Sequence, residues 1–232
     1  MSLTRRDWLL AMAGCLLAAA TQPFATISAL AQGGDMVEQL LATAATGDLN
    51  GVDALLRAGV PLDGRDKSGR TALLVATLNN HPEIAGRLIE AGADVNAKDN
   101  IHDTPFLYAG SEGRNDILRL ILASGRAKLD DSNRYGGTAL IPAAHHGHPE
   151  TVRMLIVAGV NVDHVNKLGW TALIEAVVLG DGGPTYQEIV RDLVAAGADV
   201  RIADNDGVTP LEHAKRRGFA QIAATIEGAS AN

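Results

Sequence analysis

Three imidazoles stand close together at His145, His146 and His148, and they are the most conspicuous chemistry in the chain. Imidazole is a common zinc or copper ligand. His145 and His146 are adjacent, however, so on a helix their side chains should diverge. No carboxylate or cysteine completes a ligand set at metal spacing. The carboxylate pair Asp130–Asp131 reads as a solvated turn. Gly33–Gly34 and Gly182–Gly183 are isolated glycine pairs, not phosphate cradles, and no Gly-x-Ser-x-Gly elbow is present. The only cysteine is Cys15. These residues point to neither an enzyme nor a cofactor.

The elements that carry the histidines are legible in the stretch Thr138–Trp170. The Thr138 hydroxyl is placed to cap a helix, accepting from free N–H groups of its first turn. Leu140, Ile141, Ala143 and Ala144 follow at helical spacing. Gly147 can stop that helix in a left-handed conformation. Pro149 suits the first position of a second helix, with Val152, Leu155 and Ile156 as its apolar stripe and Gly159 as its end. The remainder is an extended arm with a tight turn near Leu168–Gly169. A helix pair of this size cannot bury its own apolar face and must stack on neighbours like itself.

Such neighbours recur. The starts are Thr71 (TALLVA), Thr104 (TPFLYA), Thr138 (TALIPA), Thr171 (TALIEA) and Thr209 (TPLEHA), and a degenerate copy begins near Glu38. Gly59, Gly92, Gly125, Gly159 and Gly197 mark the ends of the second helices. The pattern resembles the ankyrin repeat, with its signature T-P-L-H-x-A. The resemblance implies an all-α ankyrin-repeat solenoid over residues 38–228, about six repeats including degenerate caps, starting near 38, 71, 104, 138, 171 and 209. Some positions depart from it. The fourth-position histidine is replaced by Leu74, Leu107, Ile141, Ile174 and Glu212, so the first helices should be more apolar. Asn80 stands where a first-helix glycine belongs, and His102 occupies a turn position normal for glycine. After Gly180 the residues DGGPT read as an added loop, 181–185, rather than a helix extension.

The N-terminus is of another kind. Arg5 and Arg6 precede Trp8 and an apolar run to Ala20, and Ala29-Leu30-Ala31 has the form of a signal-peptidase site. The stretch TRRDWLL resembles a twin-arginine export signal. An ordinary secretory signal would also fit. The lipobox-like Met12-Ala13-Gly14-Cys15 fits less well, because the apolar segment continues past Cys15. Residues 1–31 are expected to be a cleavable export signal, residues 32–37 a flexible leader and residues 229–232 a frayed tail. Cleavage after Ala31 would place the protein in the periplasm. The 20 basic and 27 acidic residues would then lose Arg5, Arg6 and Asp7, leaving 18 against 26, net −8. An acidic chain of this kind is a poor binder of nucleic acid or of anionic membrane surfaces. No run after residue 31 is long enough to span a bilayer.

The ankyrin resemblance implies that a partner meets the concave side, built from arm tips and first helices. It brings Ile101, His102, Asp103, Arg134, Tyr135, His145, His146, Leu168 and Trp170 to that side, with Asp181 in the added loop. Trp and Tyr are enriched at binding hot spots. The expectation is therefore an exported, non-catalytic and monomeric protein-interaction module that holds, protects or regulates an envelope protein. The alternative is a periplasmic solute or metal-ion binder built from His145, His146 and the 181–185 loop.

Overall fold

The computed structural model describes residues 22–230. Among the described residues twelve helices follow one another in pairs: α1 (Gln22–Thr46) and α2 (Leu49–Arg57); α3 (Ala72–Leu78) and α4 (Pro82–Ala91); α5 (Pro105–Ser111) and α6 (Asn115–Ala123); α7 (Leu140–His145) and α8 (Pro149–Ala158); α9 (Ala172–Leu179) and α10 (Pro184–Ala195); α11 (Pro210–Arg216) and α12 (Ala220–Ser230). Each first helix packs on the first helix of the next pair, and each second helix on the next second helix. One apolar core runs unbroken from Leu40 to Ile226. Helix α3 is buried nearly throughout, every residue from Ala72 to Thr77 being covered.

Local chemistry sets the ends. Thr71, Thr104, Thr171 and Thr209 each accept a hydrogen bond at the hydroxyl from the N–H three residues on. Gly92 and Gly159 close α4 and α8 in the left-handed region. Asn80 (φ 56°) and His102 (φ 68°) adopt positive φ where the other repeats use glycine. The arms are closed by an element the repeat signature does not mention. Asp66, Asp99, Asn133, Asn166 and Asp204 each accept at Oδ1 from the N–H groups two and four residues on. These Asx turns hold the arm tips. Neighbouring tips are joined by backbone bonds, Asn100 N–H to Ser68 and Lys167 N–H to Tyr135.

Four expectations need correction. Thr138 does not cap α7: its buried hydroxyl has no partner, and the helix starts one residue later, at Leu140, with Ala139 as its N-cap. Pro142 is the reason. In the other repeats the Thr carbonyl accepts from the N–H four residues on, as in Val75 to Thr71. Pro142 has no N–H to give, so Ile141 N–H bonds the Thr138 carbonyl instead and the first turn tightens.

The five additional residues of the fifth repeat do not all form a loop. Thr171 to Pro184 is 13 residues against 11 for Thr71 to Pro82, and Pro184 to Gly197 is 13 against 10 for Pro82 to Gly92. Two residues thus widen the turn and three fall between Pro184 and Gly197, where α10 has 12 residues against 10 for α4, so Pro184 and Thr185 are helical. The stretch 32–37, expected as a leader, lies inside α1, and α12 continues to Ser230, past the expected fraying point. The twin-arginine stretch falls within residues 1–21, outside the described residues.

The caps make a comparison possible. Thr71→Val should destabilise by about 1 kcal/mol, because a bonded capping hydroxyl is lost. Thr138→Val should be neutral or stabilising, because its hydroxyl is buried without a partner. Urea unfolding of the two variants measures the difference.

Candidate functional site

The arms after the second, third and fourth helix pairs and the faces of α5, α7 and α9 enclose a groove of about 550 Å³. Ile101, Asp103, Arg134, Tyr135, His145, His146, Leu168 and Trp170 all line it, so the structure gathers eight of the ten expected residues. His102 is exposed on the arm but turned out of the groove lining. Asp181 also stands apart. Its carboxylate accepts from Gly183 N–H at 2.7 Å, and the turn is packed down by Arg217, which donates to the carbonyls of Val178 and Gly180. At Gly182 (φ 75°) a Cβ would lie 2.4 Å from the Phe219 ring, so this turn needs glycine. The widened turn serves packing between repeats and does not wall the groove.

The apolar walls are solvated. Tyr135 is 53% exposed, Leu168 51%, Ile101 49% and Leu179 42%, while Trp170, half-buried, lines the groove with them. The Arg134 guanidinium lies 4.7 Å over the Tyr135 ring.

Two polar residues that the sequence reading passed over form the floor. Glu175, on α9, is only 6% exposed, and its Oε1 accepts from Asn166 Nδ2 at 2.9 Å. Asn166 is the Asx residue of its own arm and holds the backbone of Leu168 and Trp170 through its Oδ1. Burial pushes the Glu175 carboxyl up to about 7, against a smaller lowering by the Asn166 hydrogen bond. Burial also raises Asp103, helped by the nearby charge of Asp99. The available signal for Glu175 was an acid in the otherwise apolar run ALIEAVVL.

The histidines make no metal centre. The rings of His145 and His146 do not diverge as expected; their centroids are 4.7 Å apart, with His146 at the C-cap of α7. Burial and the neighbouring His146 lower the pKa of His145. His146 Nδ1 sits 2.7 Å from the Ser111 carbonyl, which commits that nitrogen as a donor. It therefore cannot take the proton of the Ser111 hydroxyl 3.5 Å away, and no nucleophile–base pair results. His148 packs its ring against Gly113, as His81 packs against Gly47 in an earlier repeat. Among the described residues no group of three or more His, Cys, Asp or Glu could hold a metal ion. The solute or metal-ion alternative at His145, His146 and the 181–185 loop loses its basis.

A family model described as "Ankyrin repeats (3 copies)" matches residues 16–99, 40–133, 106–204 and 143–226. The chain belongs to the ankyrin-repeat family. The ankyrin repeat protein YahD of Escherichia coli strain K12 is 38% identical over 192 residues, which is 82% of this chain and 95% of that one. An ankyrin repeat domain from Acinetobacter baumannii, known from a crystal structure, is 55% identical with a TM-score of 0.80, covering 82% of this chain and 97% of its own. The ankyrin repeat protein EF0377 is 42% identical, also with a TM-score of 0.80 and the same coverage. The groove of this chain thus lies on an ankyrin scaffold, between arm tips and first helices.

The buried carboxyl has a measurable cost. Its folded pKa near 7 lies above the ordinary 4.5, so between these values the folded chain keeps a proton that the unfolded chain has lost. Its contribution to stability therefore falls as pH rises from about 4.5 to about 7 and stays lost above that. His145 and His148, both lowered, act in the opposite sense below 6.5. Glu175→Gln isolates the acid. The stability of the variant relative to the native chain should rise on the order of 2 kcal/mol between about pH 5 and pH 8 in urea titrations. A difference flat with pH would contradict the assignment.

Proposed function

We propose that this chain is a non-catalytic protein-interaction module whose partner docks into the groove between the arms and first helices. One observation carries the reading: Tyr135, Leu168, Ile101 and Leu179 expose apolar surface around a single groove, with Trp170 beside them. Soluble chains rarely leave such contiguous apolar surface in water without a use for it, and Tyr and Trp are typical anchors. Val157, 87% exposed, lies on α8 away from this groove and serves as a control. Trp170→Ala and Tyr135→Ala should each weaken a protein or peptide ligand of the native chain about tenfold or more. Val157→Ala should leave the affinity unchanged. Titration calorimetry or fluorescence polarisation reads the result, and equal affinities for all three variants would reject the groove.

We propose further that the chain works outside the cytoplasm, on the support of Arg5-Arg6, the apolar run to Ala20 and the Ala29-Leu30-Ala31 site. In a bacterial host with a twin-arginine translocase, the native chain should reach the envelope fraction with Gln32 as its first residue. The paired change Arg5→Lys and Arg6→Lys should retain it in the cytoplasm. An unprocessed chain with the same distribution in both cases would overturn the export reading.

A further inference from the structure

We infer that the groove takes a lysine side chain of the partner, with its ammonium group against Glu175 Oε2 and its methylene stem along Trp170, Leu168 and Tyr135. This rests on the partner-binding reading above and gives it a chemistry.

Glu175 has only half its hydrogen bonding met. Oε1 is bonded to Asn166, whereas Oε2 has only His145 Nδ1, 3.6 Å away and beyond hydrogen-bond length. A carboxylate so buried is costly unless a cation or donors complete it. His145 is a poor candidate for that cation, because burial and His146 both favour its neutral form.

Comparison between repeats makes the same point. Glu175 lies four residues after Thr171, and the residue four after Thr209 is His213. The His213 Nε2 lies 2.7 Å from Asp204 Oδ2, the Asx residue of its own arm. There the helix and the arm supply base and acid, and the pair closes within the chain. In the preceding repeat the arm supplies neutral Asn166, and the acid on the helix is left without a counter-charge.

The surroundings suit a cation from outside. Asp103 and Glu112 line the same groove as Glu175. The fixed cation there, Arg134, is engaged by Tyr135 and by the fields of Asp103 and Asp99. An ammonium fits better than a guanidinium. With Oε1 already bonded, Glu175 offers one free oxygen to a point charge rather than two to a planar fork. The four-carbon stem of lysine matches apolar walls that end at a buried acid.

The test uses peptides selected from a random displayed library on the full chain near pH 8, with those that lose binding on Trp170→Ala taken as groove ligands. One lysine should recur at a fixed position. Replacing it by norleucine should weaken binding about tenfold, and by arginine somewhat less. Glu175→Gln should weaken the lysine peptide to a similar degree and leave the norleucine peptide unchanged. The norleucine exchange alters no residue of the protein, so it reads the contact even if that variant folds poorly. Lowering the pH to about 6 should weaken the lysine peptide by protonating Glu175. His145, His146, Asp103, Glu112 and Arg134 also face the groove, so the part of the effect absent from Glu175→Gln belongs to the acid. Groove ligands with no basic position, or a lysine peptide indifferent to norleucine, would overturn the lysine and leave the partner-binding reading standing. Ligands that bind Trp170→Ala as tightly as the native chain would overturn both.

Discussion

No helix pair of this chain can cover its own apolar face, and that shortage dictates the architecture. A first helix such as α3 is buried along nearly its whole length, which requires α1 on one side and α5 on the other. Burial is thus obtained from neighbours rather than from within a unit, and stability spreads along the stack as a sum of nearest-neighbour terms. The arms face a different problem, since their backbone N–H groups have no sheet to join. The five Asx side chains meet it by accepting two N–H groups each, at the same place in every arm. Rigid arms over packed helices leave one face of the stack with a groove of fixed shape.

Within that frame, one helical position varies in polarity from repeat to repeat. The residues four after the repeat threonines Thr71, Thr104, Thr138, Thr171 and Thr209 are Val75, Tyr108, Pro142, Glu175 and His213. The position is free to vary in chemistry, and Tyr108, Pro142 and Glu175 at it line the groove. Pro142 shows that the freedom has a local cost, since it removes an N–H and leaves the Thr138 hydroxyl without a partner. Glu175 is a second such cost, a buried acid held by Asn166. Both of these departures, Pro142 and Glu175, line the groove. Local irregularity at the expense of stability is the ordinary mark of a functional face.

The fold was legible in the order of residues because its determinants are local. Threonine caps, proline starts and glycine ends each act within one turn, and a period of about 33 residues repeats them in register. The left-handed Asn80 and His102 could likewise be placed by analogy with the glycines of other repeats. Local rules misled where two of them competed. Thr138 has the capping residue type, but Pro142 alters the turn it would cap. The Gly and Pro of DGGPT read as loop, yet Pro184 opens α10, because proline begins a helix as readily as it interrupts one.

The sequence alone determined the stacked helix pairs and most of their ends, since these follow from residue type and spacing, while the ankyrin resemblance implied the face on which large side chains such as Tyr135 and Trp170 would meet. Only the tertiary structure decided what lies between them. It joined Asn166 to Glu175 across nine residues, left one carboxylate oxygen without a hydrogen bond, set His146 on the Ser111 carbonyl and turned Asp181 away into a packed corner. Those outcomes depend on distances between neighbouring repeats and on how much water each group loses, and neither quantity is written in any one segment of the chain.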